Sequence, residues 1–385
     1  MNPFLSTCIL SFCLAATAQQ PARDRGATTA VAPSDASVLA AGWKAVADGR
    51  SDEAVRQADA VLARRAWDRG ALALKLSALA AAAPAQALAA YELWIAAGHA
   101  DDAGVLEPVA IGVLQDIAGG KAPELRPSAI RALAGARVQA VQKALDTLDA
   151  EQSSLERDMA AARSGDPTAL QRLNAEASKP AGGSPALAQA LADTGIGGEA
   201  GLILLLKSQN PQTRAAAAER LGGMKSERGA AALQGLVRDP DPAVRIAATV
   251  SLAQLGDATA LTTVDRMLAS DVPDTQIAAS RAWSGQPGPW VPIVRALLDN
   301  QDGLTRIEAA RAIAPVDPEA ARRVLEGALG DPNPVTRYES AKAIDSMLDL
   351  PSAGGNITSL RQRLGDRDAA VRLTAASALL KLARK

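Results

Sequence analysis

From residue 184 onward, apolar and small positions return on one helical face at a step of about 31 residues. Arg214, Arg245, Gln276, Arg306, Arg337 and Arg372 mark the register. Four positions earlier stands a short oxygen-bearing side chain, Asn210, Asp241, Asp302, Asn333 or Asp368, missing only in the Gln276 unit. Such a residue predicts a helix start, because its oxygen accepts orphan N–H groups of the first turn. Pro211, Pro242 and Pro334 follow it, where a missing N–H costs nothing. Three positions after the register come Ala217, Ala248, Ala279, Ala309, Ser340 and Ala375, and seven after come Leu221, Leu252, Trp283, Ile313, Ile344 and Leu379. Small and large residues sharing one stripe let adjacent helices nest. Further apolar stripes at 201–207, 230–237, 260–268, 291–298, 319–329 and 357–364 precede the following unit. Each unit is therefore expected to be a helical hairpin that buries its apolar face only against its neighbours. Residues 184–193 read as a degenerate first unit, and Leu350-Pro351-Ser352-Ala353-Gly354-Gly355 as a loop insertion that lengthens the step to Arg372.

The N-terminal pattern is different. Gln19 to Ser37 is polar and lacks apolar periodicity, so it reads as a linker, with ordered structure expected near Val38. The small residues Gly42, Gly49, Ala54 and Ala58 then lead to Leu62, a run read as two antiparallel helices. A copy displaced by 34 residues sets Ala83 opposite Gly49 and Leu88 opposite Ala54, with Tyr91 and Trp94 in its second helix. Leu106 to Ile117 predicts another helix, stopped at Gly119-Gly120. Pro127 opens a long helical stretch in which Ala134, Val138, Val141, Leu145, Leu148, Leu155 and Met159 form a heptad seam, interrupted by Gln152. Packing within its own domain is preferred for this seam over a coiled-coil dimer. Lys179-Pro180-Ala181-Gly182-Gly183 is the clearest boundary.

Asp239-Pro-Asp-Pro-Ala-Val-Arg245, Asp331-Pro-Asn-Pro-Val-Thr-Arg337 and Asp366-Arg-Asp-Ala-Ala-Val-Arg372 resemble HEAT repeats, particularly the short type found in bilin-lyase-like proteins. The resemblance covers residues 184–385 and implies an α-solenoid in which turn acids and arginines pair between neighbouring repeats. Carried over, it makes Asp239, Asp331 and Asp366 turn partners of Arg245, Arg337 and Arg372, as structural glue rather than catalysis. Ser208, Ser270 and Asn300 replace the acid elsewhere, so the ladder is expected to be incomplete. Residues 38–120 resemble tetratricopeptide repeats through Gly42, Gly49 and Ala54, although Val38, Ala45 and Ala58 replace larger residues usual there. The expected architecture is all-α, with a signal peptide at 1–18, a linker at 19–37, tetratricopeptide-like hairpins at 38–120, a long-helix connector at 121–180 and a HEAT-like solenoid at 181–385.

Composition alters the compartment more than the fold. Phe4 to Leu14 is an uncharged, mostly apolar run followed by Ala16-Thr17-Ala18, the small-x-small form of a signal-peptidase site. Cleavage is expected before Gln19, giving an exported, periplasmic or secreted protein, although the leader lacks Lys or Arg. Both cysteines, Cys8 and Cys13, lie in this leader, so the mature chain would have neither a disulfide nor a thiol nucleophile. Lipid attachment at Cys13 is disfavoured by Phe12, where a small residue is expected. No run is long enough to span a bilayer. With 41 basic and 42 acidic residues, the chain shows no basic excess of the kind that drives nucleic-acid binding.

Candidate chemistry is sparse. One histidine, His99, sits in a Gly98-His99-Ala100-Asp101-Asp102 turn, and the repeated His-Glu pairs of HEAT-type di-iron hydroxylases are missing. Neither a Gly-x-Ser-x-Gly turn nor a phosphate loop is present, since Gly195-Ile196-Gly197-Gly198 lacks a preceding strand and a following lysine. No catalytic, cofactor-binding or metal-binding residue is assigned. If the register helices line the concave side, as the resemblance implies, positions two and five after the register face a groove. Arg281, Arg311 and Lys342 then form a candidate strip for an acidic segment of a protein partner, while Glu308 and Glu339 offer ordinary i, i+3 pairs. The expected function is a non-catalytic protein-binding scaffold, the alternative being an enzyme or enzyme subunit with a groove site that carries no motif.

Overall fold

The computed structural model describes residues 34–120, 122–135, 155, 157–159, 161–162, 165–179, 183–283, 285–348 and 357–383. The leader and residues 19–33 lie outside the described residues, as do Val138, Val141, Leu145, Leu148 and Gln152 of the seam, and 350–355. Leu155 and Met159 are half-buried. All regular structure among the described residues is helical. In chain order it comprises α1 (Asp35–Ala47), α2 (Ser51–Leu62), α3 (Arg69–Ala80), α4 (Pro84–Ala96), α5 (Ala103–Gly119) and α6 (Arg126–Gly135). There follow α7 (Pro167–Ala177), α8 (Pro185–Asp193), α9 (Glu199–Leu205), α10 (Pro211–Gly223), α11 (Glu227–Leu236), α12 (Pro242–Gln254) and α13 (Ala258–Leu268). The last are α14 (Pro273–Ser280), α15 (Trp290–Ala296), α16 (Gly303–Ile313), α17 (Pro318–Ala328), α18 (Pro334–Met347), α19 (Ile357–Arg363) and α20 (Ala369–Leu382).

The chain divides into two compact units, Met1–Thr147 with Glu326–Lys385, and Leu148–Leu325. In the first unit, the helix starts recur with the caps. Ser34, Asp68 and Asp102, 34 residues apart, accept N–H groups of α1, α3 and α5. Helix α1 thus begins at Asp35, inside the stretch read as linker, because Ser34 accepts from Ser37 N–H. The second helices follow a 33-residue step, since α3 is one residue shorter than α1. Ala54, Ala58 and Val61 of α2 therefore correspond to Ala87, Tyr91 and Trp94 of α4, all buried, and half-buried Leu88 is not the counterpart of Ala54. Helix α3 packs on α1, α2, α4 and α5, and α20 packs on α5, α6, α18 and α19.

In the second unit, register helices α10, α12, α14 and α16 pack on one another in succession. Across both units the residues three after the register, Ala217, Ala248, Ala279, Ala309, Ser340 and Ala375, have no exposed surface. Helices α10 and α12 approach closely: a Cβ on Gly222 would lie 2.6 Å from Ser251 Cβ, and Ser251 Oγ donates to the Ala218 carbonyl at 2.9 Å. Helix α14 is the irregular member. Val272 offers no side-chain cap, and the helix continues as a 3₁₀ turn, Arg281–Trp283, in which Trp283 is only half-buried.

Candidate functional site

Each register residue first serves its own turn. Arg214 Nη1 donates to the carbonyl oxygens of Ser208 (2.8 Å) and Gln209 (3.2 Å), and Arg245 Nη1 to those of Asp239 (2.8 Å) and Pro240 (2.9 Å). Arg306, Arg337 and Arg372 repeat the contact on residues six and five positions earlier. Gln276 substitutes with one amide, donating to Ser270 O at 2.7 Å. The side chain six before the register accepts an N–H two residues on, whether it is Ser208, Asp239, Ser270, Asn300, Asp331 or Asp366. The turn therefore needs a short acceptor but not a charge.

Charge matters only between units. Arg214 Nε and Nη2 donate to the two Asp239 oxygens at 2.9 and 2.8 Å, and Arg337 Nε and Nη2 to those of Asp366 at 2.8 Å each. The carboxylate of Asp239 thus belongs to the arginine of the preceding unit, while Arg245 takes the same residue's main-chain carbonyl. Asp366 is shared in the same way between Arg337 and Arg372. Asp331 accepts from Asn333 N–H, and its carbonyl serves Arg337. Both bidentate pairs are largely buried, with side-chain exposures of 13% and 5% for Arg214 and Asp239. The guanidinium of Arg214 holds the Asp239 carboxyl below its ordinary range. Burial pushes Asp366 up, but Arg337 and the Asp368 N–H more than offset it, and the net shift is down.

Of the positions five after the register, Glu219, Arg281 and Lys342 are exposed, Arg311 is half-buried and Val250 is buried. Arg281 pairs with Glu219 of α10 at 2.9 Å, reaching past α12, which contributes buried Ala247 and Val250 at the equivalent positions. Gln254 Nε2 donates to the Arg281 carbonyl at 2.6 Å. Arg311 pairs with Glu308 at 2.8 Å. Lys342, in the first unit, lies 3.3 Å from Glu339 and 5.7 Å from the Tyr338 ring centroid. Sequence reasoning paired the last two and missed Glu219, although Glu219, Val250 and Arg281 share one register position and so mark a row with an apolar middle.

His99 is stacked flat on Trp94, with centroids 4.9 Å apart and planes 5° apart, and lies 5.8 Å from the tilted Trp67 ring. Among the described residues, no group of three or more His, Cys, Asp and Glu side chains could hold a metal ion, and no helix is long and apolar enough to cross a membrane.

Repeating hairpins joined by one conserved set of turn contacts define an all-α helical-repeat protein of the solenoid class. Within that class, residues 199–283 and 291–380 match the HEAT-repeat family and form HEAT repeats. The tetratricopeptide name for 38–120 rests on residue pattern alone. No curated protein sequence matches the chain. Among solved structures it is similar to human deoxyhypusine hydroxylase in complex with glycerol, at 19% identity and TM-score 0.33, covering 55% of this chain and 95% of that one. It is also similar to an engineered protein at 22% identity and TM-score 0.25, covering 47% of this chain and 96% of that one.

Proposed function

We propose that the protein is an exported, non-catalytic scaffold, periplasmic or secreted, that holds a protein partner through positions two and five after the register, Arg281 and Arg311 serving in the Leu148–Leu325 unit and Lys342 as a candidate contact of the other unit by itself. The observation that carries this reading is the contrast between two sets of arginines. The side chains of Arg214 and Arg337 are largely shielded and engaged both in their own turns and in holding units together, whereas Arg281, Arg311 and Lys342 are more accessible and are paired with exposed Glu219 and half-buried Glu308 and Glu339. Exposed pairs contribute only about 0–1 kcal/mol each, so an acidic side chain of a partner can replace Glu219, Glu308 or Glu339 at small cost. The stacking of His99 on Trp94, beside the tilted Trp67 ring, further favours a structural over a catalytic role for that residue.

Cross-linking in the native compartment, followed by identification of the recovered protein, tests the reading directly. Reversing Arg281, Arg311 and Lys342 together to Glu is expected to reduce recovery of the partner and to flatten its salt dependence. Recovery and salt dependence identical to the unmodified protein would remove these residues from the interface. N-terminal sequencing of the exported protein is expected to begin at Gln19; an intact Met1 in the cytoplasmic fraction alone would overturn the assigned compartment.

A further inference from the structure

Helices α5 and α20 come from opposite ends of the chain, yet each is buried over more than one face. In α20, Val371, Thr374, Ala375, Ala376, Ala378, Leu379 and Leu380 are all buried. At 100° per residue these positions cover well over half of the helix circumference, more than one neighbouring hairpin can shield. Helices α18 and α19 cover one side, and α5 and α6 cover the other. Helix α5 is in the same position, with Val105, Leu106, Val109, Ala110, Val113, Leu114 and Ile117 buried between α3, α4 and α20.

A polar clasp fastens the contact. Arg361 of α19 is 4% exposed. Its Nη1 meets the Glu92 carboxylate of α4, and its Nε lies 2.8 Å from Asp101 Oδ1, as a close ion pair rather than an aligned hydrogen bond. Thr358 Oγ1 donates to the other Asp101 oxygen at 2.5 Å. Asp101 in turn adjoins the buried Tyr91 hydroxyl, which accepts from Asp102 N–H at 2.7 Å and whose ionisation is pushed upward chiefly by burial. A buried guanidinium deprived of its carboxylates is strongly destabilising, so neither side of this clasp is stable in its present form without the other.

We infer that α19 and α20 act as a latch, with Arg361 as its bolt, that completes the core of the N-terminal hairpins, so that the first and last segments of the chain fold and open as one cooperative body. Stable folding of α4 and α5 must then wait for residues 357–382.

Hydrogen exchange on the full-length protein tests the latch. In Arg361→Met, exchange in α5 and α20 is expected to accelerate together, by roughly tenfold or more, while α12 and α13 keep their original rates. The reciprocal variant Asp101→Asn, altered on the N-terminal side, is expected to accelerate α20 as well as α5. Acceleration restricted to the element that carries each substitution, or no acceleration, overturns the proposal. If Arg361→Met does not fold, Thr358→Ala supplies the milder perturbation, with the same joint response expected and a one-sided response decisive against the latch.

Discussion

At position 239 one aspartate carries three loads: it caps its own turn through Asp241 N–H, accepts both arms of Arg214, and lends its carbonyl to Arg245. Asp239→Ala strands a buried guanidinium, whereas Arg245→Ala removes donors from carbonyls that water can still reach. The first is expected to cost about 3 kcal/mol and the second about 1 kcal/mol, in that order by thermal or urea unfolding. Equal losses would mean that the inter-unit pair contributes nothing beyond the turn contact. Ser270 occupies the site where Arg245 would find a carboxylate, so Ser270→Asp is expected to raise stability by about 1 kcal/mol. The caps Asn210, Asp241, Asp302, Asn333 and Asp368 were legible in sequence because they act within one turn. The choice of Arg214 rather than Arg245 for the Asp239 carboxylate was not, since both arginines recur at the same period and only the packing of units selects between them.

Among elements, glycine positions separate packing from propensity. Gly112 of α5 faces the α3 backbone, and a Cβ there would stand 2.8 Å from the Ala80 carbonyl carbon. Gly235 of α11 faces open space. Gly112→Ala is expected to destabilise by about 2 kcal/mol, because overpacking against rigid backbone outweighs better helix propensity. Gly235→Ala is expected to stabilise by about 0.5–1 kcal/mol; a stabilising Gly112→Ala measured in the same unfolding assay would contradict the close approach of α3 and α5. The hairpins themselves were readable from period and punctuation, but the second-helix register slipped by one. A 34-residue comparison aligned Leu88 with Ala54, whereas the shorter α3 brings Ala87 into that buried place.

For the whole molecule, Asp239 and Asp366 place an acid-sensitive pair in each compact unit. Their carboxyls are held below the ordinary range of about 3.9, so the unfolded chain takes up protons before the folded one does. The stability they contribute is complete above that range and drains as pH falls through the depressed values. Melting temperature is expected to fall steeply below about pH 4, and Asp239→Asn is expected to make that fall shallower for the unit spanning Leu148–Leu325. An unaltered slope would mean that the pair does not set acid stability. The union of α5 with α20 could not be read from the chain, because Arg361, Glu92 and Asp101 follow no shared period. The uncapped Val272 and the single-armed Gln276 have a mechanical meaning. Elements loaded in series yield first at the most compliant one, and α14 is the register helix that has neither a side-chain cap nor a register arginine. Stretched in an optical trap through handles at the two ends of the Leu148–Leu325 unit, the protein is expected to show its first extension at residues 272–283, and Val272→Asp, by supplying a cap, is expected to move that event to higher force.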